Sequence, residues 1–178
     1  MAYVKALLLV PGLFLMACAA PSGTTKDIKV VEHLDLDRYL GRWYEIARLP
    51  TRFEKGLVNV TATYSLRDDG RIKVLNQGYK ETSDGEHSVA EGVAWIPDPA
   101  QPARLRVSFF WIFASDYKVI ALDGENYQWA MVTSKSKRYL WVLNRTPTMD
   151  EGLYTLLVEQ ARGYGFDIGE LYKVPQDW

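Results

Sequence analysis

The sequence contains a single cysteine, Cys18, which excludes any disulfide framework within one chain. Histidine is almost as scarce, because His33 and His87 are the only two and they lie far apart without a metal-ligand spacing. No Gly-x-Ser-x-Gly elbow, zinc pattern or phosphate-binding glycine loop occurs either. We therefore expect no catalytic nucleophile with its base, no metal site and no cofactor.

Charge of either sign is not in excess, since 21 Lys and Arg residues face 22 Asp and Glu residues and give a net charge of −1. There is no basic run to hold nucleic acid and no polybasic patch to hold anionic lipid. The length of 178 residues, with 48% hydrophobic residues, suits one domain with one sizeable core.

The first 17 residues differ from the rest of the chain. Lys5 precedes a short apolar run that ends in small residues, a pattern typical of a secretory signal peptide and too short and interrupted to span a membrane. Its end, Leu15-Met16-Ala17-Cys18, resembles a bacterial lipobox, in which cleavage leaves the cysteine N-terminal and acylated. An ordinary cleavage site is the alternative.

The lipobox resemblance implies membrane attachment through acylated Cys18. Ala19, rather than Asp, follows the cysteine, which implies the outer membrane of a Gram-negative bacterium, on its periplasmic side. We expect residues 1–17 to be the signal peptide, residues 18–30 the lipidated N-terminus with a flexible tether, and residues 31–178 the folded domain.

From Arg42 onward the chain consists of short β-like runs separated by turn residues, which predicts an all-β fold. The eight predicted strands are Arg42–Arg48, Leu57–Arg67, Arg71–Lys80, His87–Ile96, Arg104–Phe113, Tyr117–Asp123, Tyr127–Ser134 and Arg138–Arg145. Their connections are too short for crossovers, so neighbours should pair antiparallel, and closing the sheet removes its edges. This predicts an eight-stranded antiparallel up-and-down barrel.

One helix is predicted after the eighth strand. A Thr148-x-x-Glu151 capping box precedes an apolar stripe at helical spacing, and Gly163 and Gly165 end it. The stripe is Met149, Leu153, Leu156, Leu157 and Ala161. We expect this helix to pack outside the barrel, with 171–174 as a short edge strand.

Gly41 and Trp43 open the first strand, and in an up-and-down barrel Arg145 ends at the same place. A guanidinium stacked on an indole face contributes roughly 0.5 to 2 kcal/mol. We predict that these three residues form the barrel floor, with Arg145 also binding carbonyls of the preceding 37–40 turn. A solvated charge at a strand end is the alternative for Arg145.

Five motifs together resemble the lipocalin family, most closely the bacterial outer-membrane lipoprotein lipocalins, with apolipoprotein D as a more distant relative. The motifs lie at 41–48, 60–66, 107–110, 117–123 and 139–147, in family order. The resemblance implies an eight-stranded calyx that binds one small apolar or amphipathic ligand, with fatty acids and lysophospholipids the class associated with bacterial members.

The candidate ligand contacts lie on one face of strands five, six and eight: Phe109, Trp111, Tyr117, Val119, Tyr139 and Trp141. Leu105, Val107, Ala121 and Leu143 share these faces. Some of these residues could instead face outward beneath the helix, and the inner face of strand two is left undecided. Glu45 is inward by parity, as a hydrogen-bonded structural carboxylate or a ligand contact.

The predicted open end gathers both charges. Its cations, Arg52, Lys55, Lys80, Lys135, Lys137 and Arg138, suit an anionic head group, whereas its acids favour a solvated mixed-charge rim. The sequence thus favours an outer-membrane lipoprotein that stores or transports a fatty acid or lysophospholipid. A lipid-modifying enzyme and a structural envelope protein are the alternatives, and a homodimer is left open.

Overall fold

The computed structural model describes residues 23–110 and 113–178, so Cys18 and Trp111 lie outside the described residues. The strands are β1 (Gly41–Arg48), β2 (Leu57–Leu66), β3 (Ile72–Lys80), β4 (His87–Trp95), β5 (Arg104–Phe110), β6 (Phe113–Leu122), β7 (Trp129–Thr133), β8 (Leu140–Asn144) and β9 (Tyr172–Lys173). The helices are α1 (Leu36–Tyr39) and α2 (Glu151–Gly163), with a 3-10 turn at Ile168–Glu170.

The first eight strands close into a barrel. Each strand from β2 to β7 pairs antiparallel with the next one in the chain, and β1 pairs with both β8 and β2. The predicted up-and-down barrel with a helix outside it is confirmed. The strand ends differ by a few residues, most clearly at the β5–β6 turn, where Phe110 pairs with Phe113 and leaves a connection of only two residues.

The seam between β1 and β2 is only partly made by these two strands. Gly41 to Tyr44 pair with β2, but Ala47 and Arg48 pair with β9. The following segment bonds to both sides of the seam, because the Gln176 amide donates to the carbonyls of Glu45 (2.8 Å) and Val60 (3.0 Å). The C-terminal segment therefore completes the barrel wall.

Apolar side chains form one layer inside the barrel and another beneath α2. The inner layer includes Trp43, Tyr64, Val74, Leu105, Val119, Val132 and Leu143. The outer layer includes Ile46, Met131, Leu140, Val142, Leu157 and Phe166. In β2, Ala62 and Tyr64 belong to the inner layer, which settles the face that the sequence left undecided.

A bulge makes one of the predicted inner residues an outer one. The register between β6 and β7 shifts between Val119 and Ala121, so side chains on either side of the bulge no longer alternate simply. Val119 lies in the inner layer, whereas Ala121 packs with the layer beneath α2. The assignment of Ala121 to the inner wall was therefore wrong.

The start of α2 also differs from the prediction. Asp150 is the N-cap, and its carboxylate accepts a hydrogen bond from the Leu153 N–H at 2.9 Å. The predicted capping box at Thr148 was therefore wrong, because Thr148 lies two residues before the N-cap. Its carbonyl accepts hydrogen bonds from Asn144 and Thr146. Leu156 of the predicted stripe is exposed, and Leu157 and Ala161 carry the buried contact.

The segment before α1 packs with the outer layer at Ile28 and with the inner layer at Val30, Val31 and Leu34. Thr25 is fully buried and its hydroxyl donates to the carbonyl of Ser134. The Lys118 ammonium donates to the Thr25 carbonyl at 3.1 Å, and the Val31 N–H donates to the Val119 carbonyl at 3.0 Å. Within the predicted 18–30 tether, the residues from 23 onward thus contact the barrel.

Candidate functional site

The floor of the barrel is built around Trp43, which has no exposed surface. The Arg145 guanidinium carbon lies 3.8 Å from the centre of the indole ring, and the indole N–H donates to the Tyr39 carbonyl at 2.8 Å. The carbonyls that accept from the Arg145 guanidinium are those of Arg38, Tyr39, Arg42 and Tyr127. Trp43 and Arg145 are in contact, and this contact closes one end of the barrel.

Gly41 is required by the same packing. Its φ is +94°, in the region where side chains are strained, and a Cβ atom there would lie 3.3 Å from Nη1 of Arg145. A side chain at this position would strain the backbone and crowd the guanidinium. The structure thus brings the three predicted floor residues together.

Three tyrosine hydroxyls meet above the floor. The Tyr117 hydroxyl lies 2.7 Å from that of Tyr39 and 2.9 Å from that of Tyr64. Burial raises the pKa of Tyr39 and Tyr117 well above 10.0 and raises the pKa of Tyr64 to about 12. The three phenols are therefore neutral at physiological pH and act as a hydrogen-bonded group rather than as bases.

A charged cluster lies nearer the open end, where β1 leaves β2. The Arg48 guanidinium donates to the Glu45 carboxylate at 2.7 Å and to the Glu54 carbonyl at 2.6 Å. The Glu54 carboxylate accepts from the Thr51 hydroxyl at 2.7 Å and from the Trp141 indole at 3.2 Å. All three charged residues are buried, so the first loop is folded inward over the barrel.

Glu45 titrates abnormally in this cluster. Burial raises the pKa of Glu45 well above 4.5, and the nearby Glu54 charge raises it further, while Arg48 opposes both effects. Sequence parity placed Glu45 inside, but Glu54 was expected at the rim as a solvated acid. Nothing in its local sequence indicates that it bonds to Trp141.

The predicted ligand contacts are not equivalent. Phe109, Tyr117 and Trp141 pack on the inner layer and keep partly exposed surface, whereas Val119 is fully buried. Tyr139 stacks on Trp141 with ring centres 6.0 Å apart, which places it beside the inner face. The five described candidates thus lie along one side of the interior, with Val119 set into its wall.

Gly92 explains how Phe109 fits inside. A Cβ atom on Gly92 would lie 2.8 Å from Cδ1 of Phe109, so the ring of Phe109 occupies the place of a side chain on β4.

Asn76, facing Ala62 across β2 and β3, has a buried Oδ1 with no hydrogen-bond partner among the described residues. Neither Gly92 nor Asn76 was singled out from the sequence.

The cations of the open end fall into two groups. Lys80 forms an ion pair with Glu86 at 2.7 Å, and the Lys137 side chain packs beside Gly23 and Gly165 on the outer wall. The others, Arg52, Lys55, Lys135 and Arg138, carry no ion pair to a residue in the described ranges, and all four are exposed. The rim is therefore less cationic than six residues suggest.

Residues 23–110 and 113–178 contain neither a metal-binding cluster nor a membrane-spanning helix. No group of three or more His, Cys, Asp or Glu side chains is placed to hold a metal ion. No helix in the same ranges has the length and apolar character needed to span a bilayer.

Comparison with known proteins gives a consistent result. The family described as "Lipocalin-like domain" matches residues 34–176. The chain is 42% identical over 168 residues to the outer membrane lipoprotein Blc of Vibrio cholerae, covering 92% of this chain and 98% of that protein. It is 37% identical to apolipoprotein D of Cavia porcellus, covering 84% and 80%.

The fold agrees with solved structures at low sequence identity. Insecticyanin from the tobacco hornworm Manduca sexta matches with a TM-score of 0.67 at 20% identity, covering 89% of this chain and 87% of that one. The family match spans both the floor residues Trp43 and Arg145 and the barrel strands, and the relatives agree over nearly their whole length. The chain belongs to the lipocalin family.

Proposed function

We propose that this protein is a lipoprotein of the Gram-negative outer membrane that binds one fatty acid or lysophospholipid in its barrel and stores or transports it. The observation that carries this proposal is the gradient of exposure inside the barrel. Trp43 at the floor is fully buried, whereas Phe109, Tyr117 and Trp141 higher up keep exposed surface. Such an interior is closed at one end and accessible from the other.

The chemistry of the interior suits an acyl chain. Its upper wall is aromatic and aliphatic, and burial of the chain contributes about 0.8 kcal/mol per methylene group. A polar head group then stays at the wet mouth, where Arg52, Lys55, Lys135 and Arg138 are exposed. The Glu54 carboxylate is turned into the barrel, where it is bonded to Thr51 and Trp141.

The cellular location follows from two separate observations. Relatives 42% to 45% identical to this chain are named outer membrane lipoproteins, and the Leu15-Met16-Ala17-Cys18 sequence resembles the lipobox that such proteins require. We propose that Cys18 carries the acyl chains and holds the protein on the periplasmic side.

Binding without catalysis is the simplest account of the polar groups. The tyrosine hydroxyls are bonded to one another and stay protonated, and Arg48 is committed to Glu45 and to backbone carbonyls. None of these groups forms a nucleophile with an adjacent base. The polar clusters therefore support the shape of the barrel.

Lipid binding is tested by filling the interior with a side chain. Ala62 faces inward from β2 and is partly exposed, while its neighbour Thr63 does not belong to the inner layer. We expect Ala62→Phe to weaken binding of a lysophospholipid at least tenfold, or about 1.4 kcal/mol, and Thr63→Phe to leave it unchanged. Titration with a fluorescent lysophospholipid measures both affinities.

Native mass spectrometry of protein extracted from its own membrane identifies the lipid. Absence of any bound lipid, together with no binding by the parent protein in the titration, would show that the barrel is structural. Equal loss of affinity in the Ala62 and Thr63 variants would place the lipid outside the barrel.

A further inference from the structure

The described chain begins at the open end of the barrel. The Lys137 N–H donates to the Gly23 carbonyl at 3.0 Å, and Thr24 forms a β-bridge with Ser136. Both partners belong to the β7–β8 loop. This loop lies at the mouth, because β8 runs from it toward Arg145 at the floor.

The tether between the proposed anchor and this point is short. Cys18 precedes Gly23 by five residues, and five residues span at most about 17 Å when fully extended. Barrel strands of eight to ten residues are themselves longer than this. An anchor at Cys18 therefore holds the mouth near the membrane and leaves the floor farther away.

Large aromatic side chains are exposed on opposite sides of the same end. Phe53 in the β1–β2 loop is 66% exposed, and Phe110 and Phe113 at the β5–β6 turn are 74% and 71% exposed. These two connections are four strands apart in a ring of eight, so they face each other across the mouth. All three exposed rings therefore lie at the mouth, where a flat apolar partner could contact both sides at once.

The charges of this end are also unevenly placed. The exposed cations Arg52, Lys55, Lys135 and Arg138 lie on the β1–β2 and β7–β8 connections, which are neighbours in the barrel. The exposed acids of the β3–β4 turn are Glu81, Asp84 and Glu86. Aromatic rings beside lysine and arginine are the side chains that settle at a bilayer surface.

We propose that the mouth of the barrel rests on the membrane that holds the Cys18 anchor, with Phe53, Phe110 and Phe113 entering the head-group region. This inference rests on the anchor of the proposed function and adds a direction to it. A lipid then passes between bilayer and barrel interior without its acyl chain crossing water. The partner is the lipid bilayer itself.

Single cysteines carrying a spin label test the orientation, because acylation blocks the natural Cys18. Phe53→Cys and Phe113→Cys place labels at the mouth, and Leu66→Cys, 56% exposed at the floor end of β2, is the matched control. The acylated protein is reconstituted in phosphatidylethanolamine and phosphatidylglycerol vesicles. We expect labels 53 and 113 to collide more with oxygen and less with a water-soluble nickel chelate than label 66.

A second measurement follows lipid transfer. In the double variant Phe53→Ser with Phe113→Ser, we expect a fluorescent lysophospholipid to move from vesicles into the protein several-fold more slowly, with unchanged affinity at equilibrium. Leu156→Ser is the control, since Leu156 is 69% exposed on α2 and belongs to none of the connections at the mouth. A transfer rate equal to that of the parent overturns the proposal.

The outcomes separate the anchor from the orientation. If the mass of the purified protein shows no acyl chains on Cys18, the anchor is wrong and the orientation falls with it. If the protein is acylated and binds lipid but labels 53 and 113 reach the nickel chelate as readily as label 66, only the orientation is wrong.

Discussion

Arg145 connects several backbone segments through one side chain. It covers Trp43 and donates to carbonyls before β1, within β1 and before β7. We expect Arg145→Ala and Trp43→Ala each to lower the free energy of unfolding by about 2 to 4 kcal/mol, through lost hydrogen bonds and a cavity. Urea denaturation measures both variants.

The double variant shows whether the pair acts as a unit. Since the guanidinium lies against the indole at 3.8 Å, its loss should cost clearly less once Trp43 is absent than when it is present. Strictly additive losses in the double-mutant cycle would show that the two side chains stabilise the floor independently.

The raised pKa of Glu45 should make the stability of the protein depend on pH. Its pKa in the folded state is raised above 4.5, chiefly by burial, so the folded protein holds a proton that the unfolded chain releases. Stability from this group is therefore greatest below the unfolded pKa and declines as pH rises toward the folded pKa. Glu45→Gln cannot lose a proton, and we expect it to gain stability relative to the parent as pH rises.

Unfolding in urea at about pH 4 and about pH 8 gives the two differences required. Asp69→Asn serves as a control that should change little over this range, because a hydrogen bond from Arg67 lowers the pKa of Asp69 below its ordinary value of 3.8 and its contribution is lost only at lower pH. A Glu45→Gln difference that does not change with pH would mean that the pKa of Glu45 is the same in the folded and unfolded protein.

At the level of the structural elements, the β7–β8 loop offers a test of head-group recognition. Lys135 and Arg138 are exposed there, whereas Lys137 packs along Gly23 and Gly165. We expect Lys135→Glu with Arg138→Glu to weaken binding of an anionic lysophospholipid but not of an uncharged monoacylglycerol of equal chain length. Titrations at low and high salt should show the difference shrinking with salt.

Lys73→Glu is the matched control, because Lys73 lies on β3 and pairs with Glu91. It changes charge without altering the mouth. If both lipids lose affinity equally in the double variant, the loop affects binding through its shape and does not recognise the head group.

The sequence predicted those elements whose pattern is local. Turn residues and alternating side chains located all eight barrel strands. Because strand one starts and strand eight ends at the same end of an up-and-down barrel, the sequence also predicted that Trp43 and Arg145 meet. Bulges could not be predicted, since one extra residue in a strand moves the following side chains to the other face of the sheet without changing the composition of the strand. For this reason Ala121 was placed inside, although it packs beneath α2.

Contacts made by irregular segments were also missed. Thr25 lies in a stretch of small and polar residues with no periodicity, yet it is fully buried and forms hydrogen bonds with Ser134 and Lys118. Glu54 looked like one more acid on an exposed loop, and its bond to Trp141 depends on how that loop folds over the barrel. Such contacts depend on tertiary position, which no local pattern encodes.

At the scale of the whole molecule, the closed end and the open end differ in what holds them. The floor is held by hydrogen bonds from Arg145 to backbone carbonyls and by the hydrogen-bonded cluster of neutral tyrosines. The open end carries the inward charges of Arg48 and Glu54 and the exposed rings of Phe53 and Phe113. We therefore expect a change at the mouth to alter exchange of the proposed lipid while the floor keeps its stability.

The seam of the barrel sets an order on how this chain can fold. β1 and β2 come early in the sequence, but the part of their junction nearer the mouth is bridged by β9 and Gln176. Asn59 of β2 also exchanges two hydrogen bonds with the backbone of Asp177. These bridging residues follow every barrel strand. If the chain is exported with its N-terminus first, as the proposed signal peptide requires, we expect the barrel wall to close only after residues 172–177 have crossed the membrane.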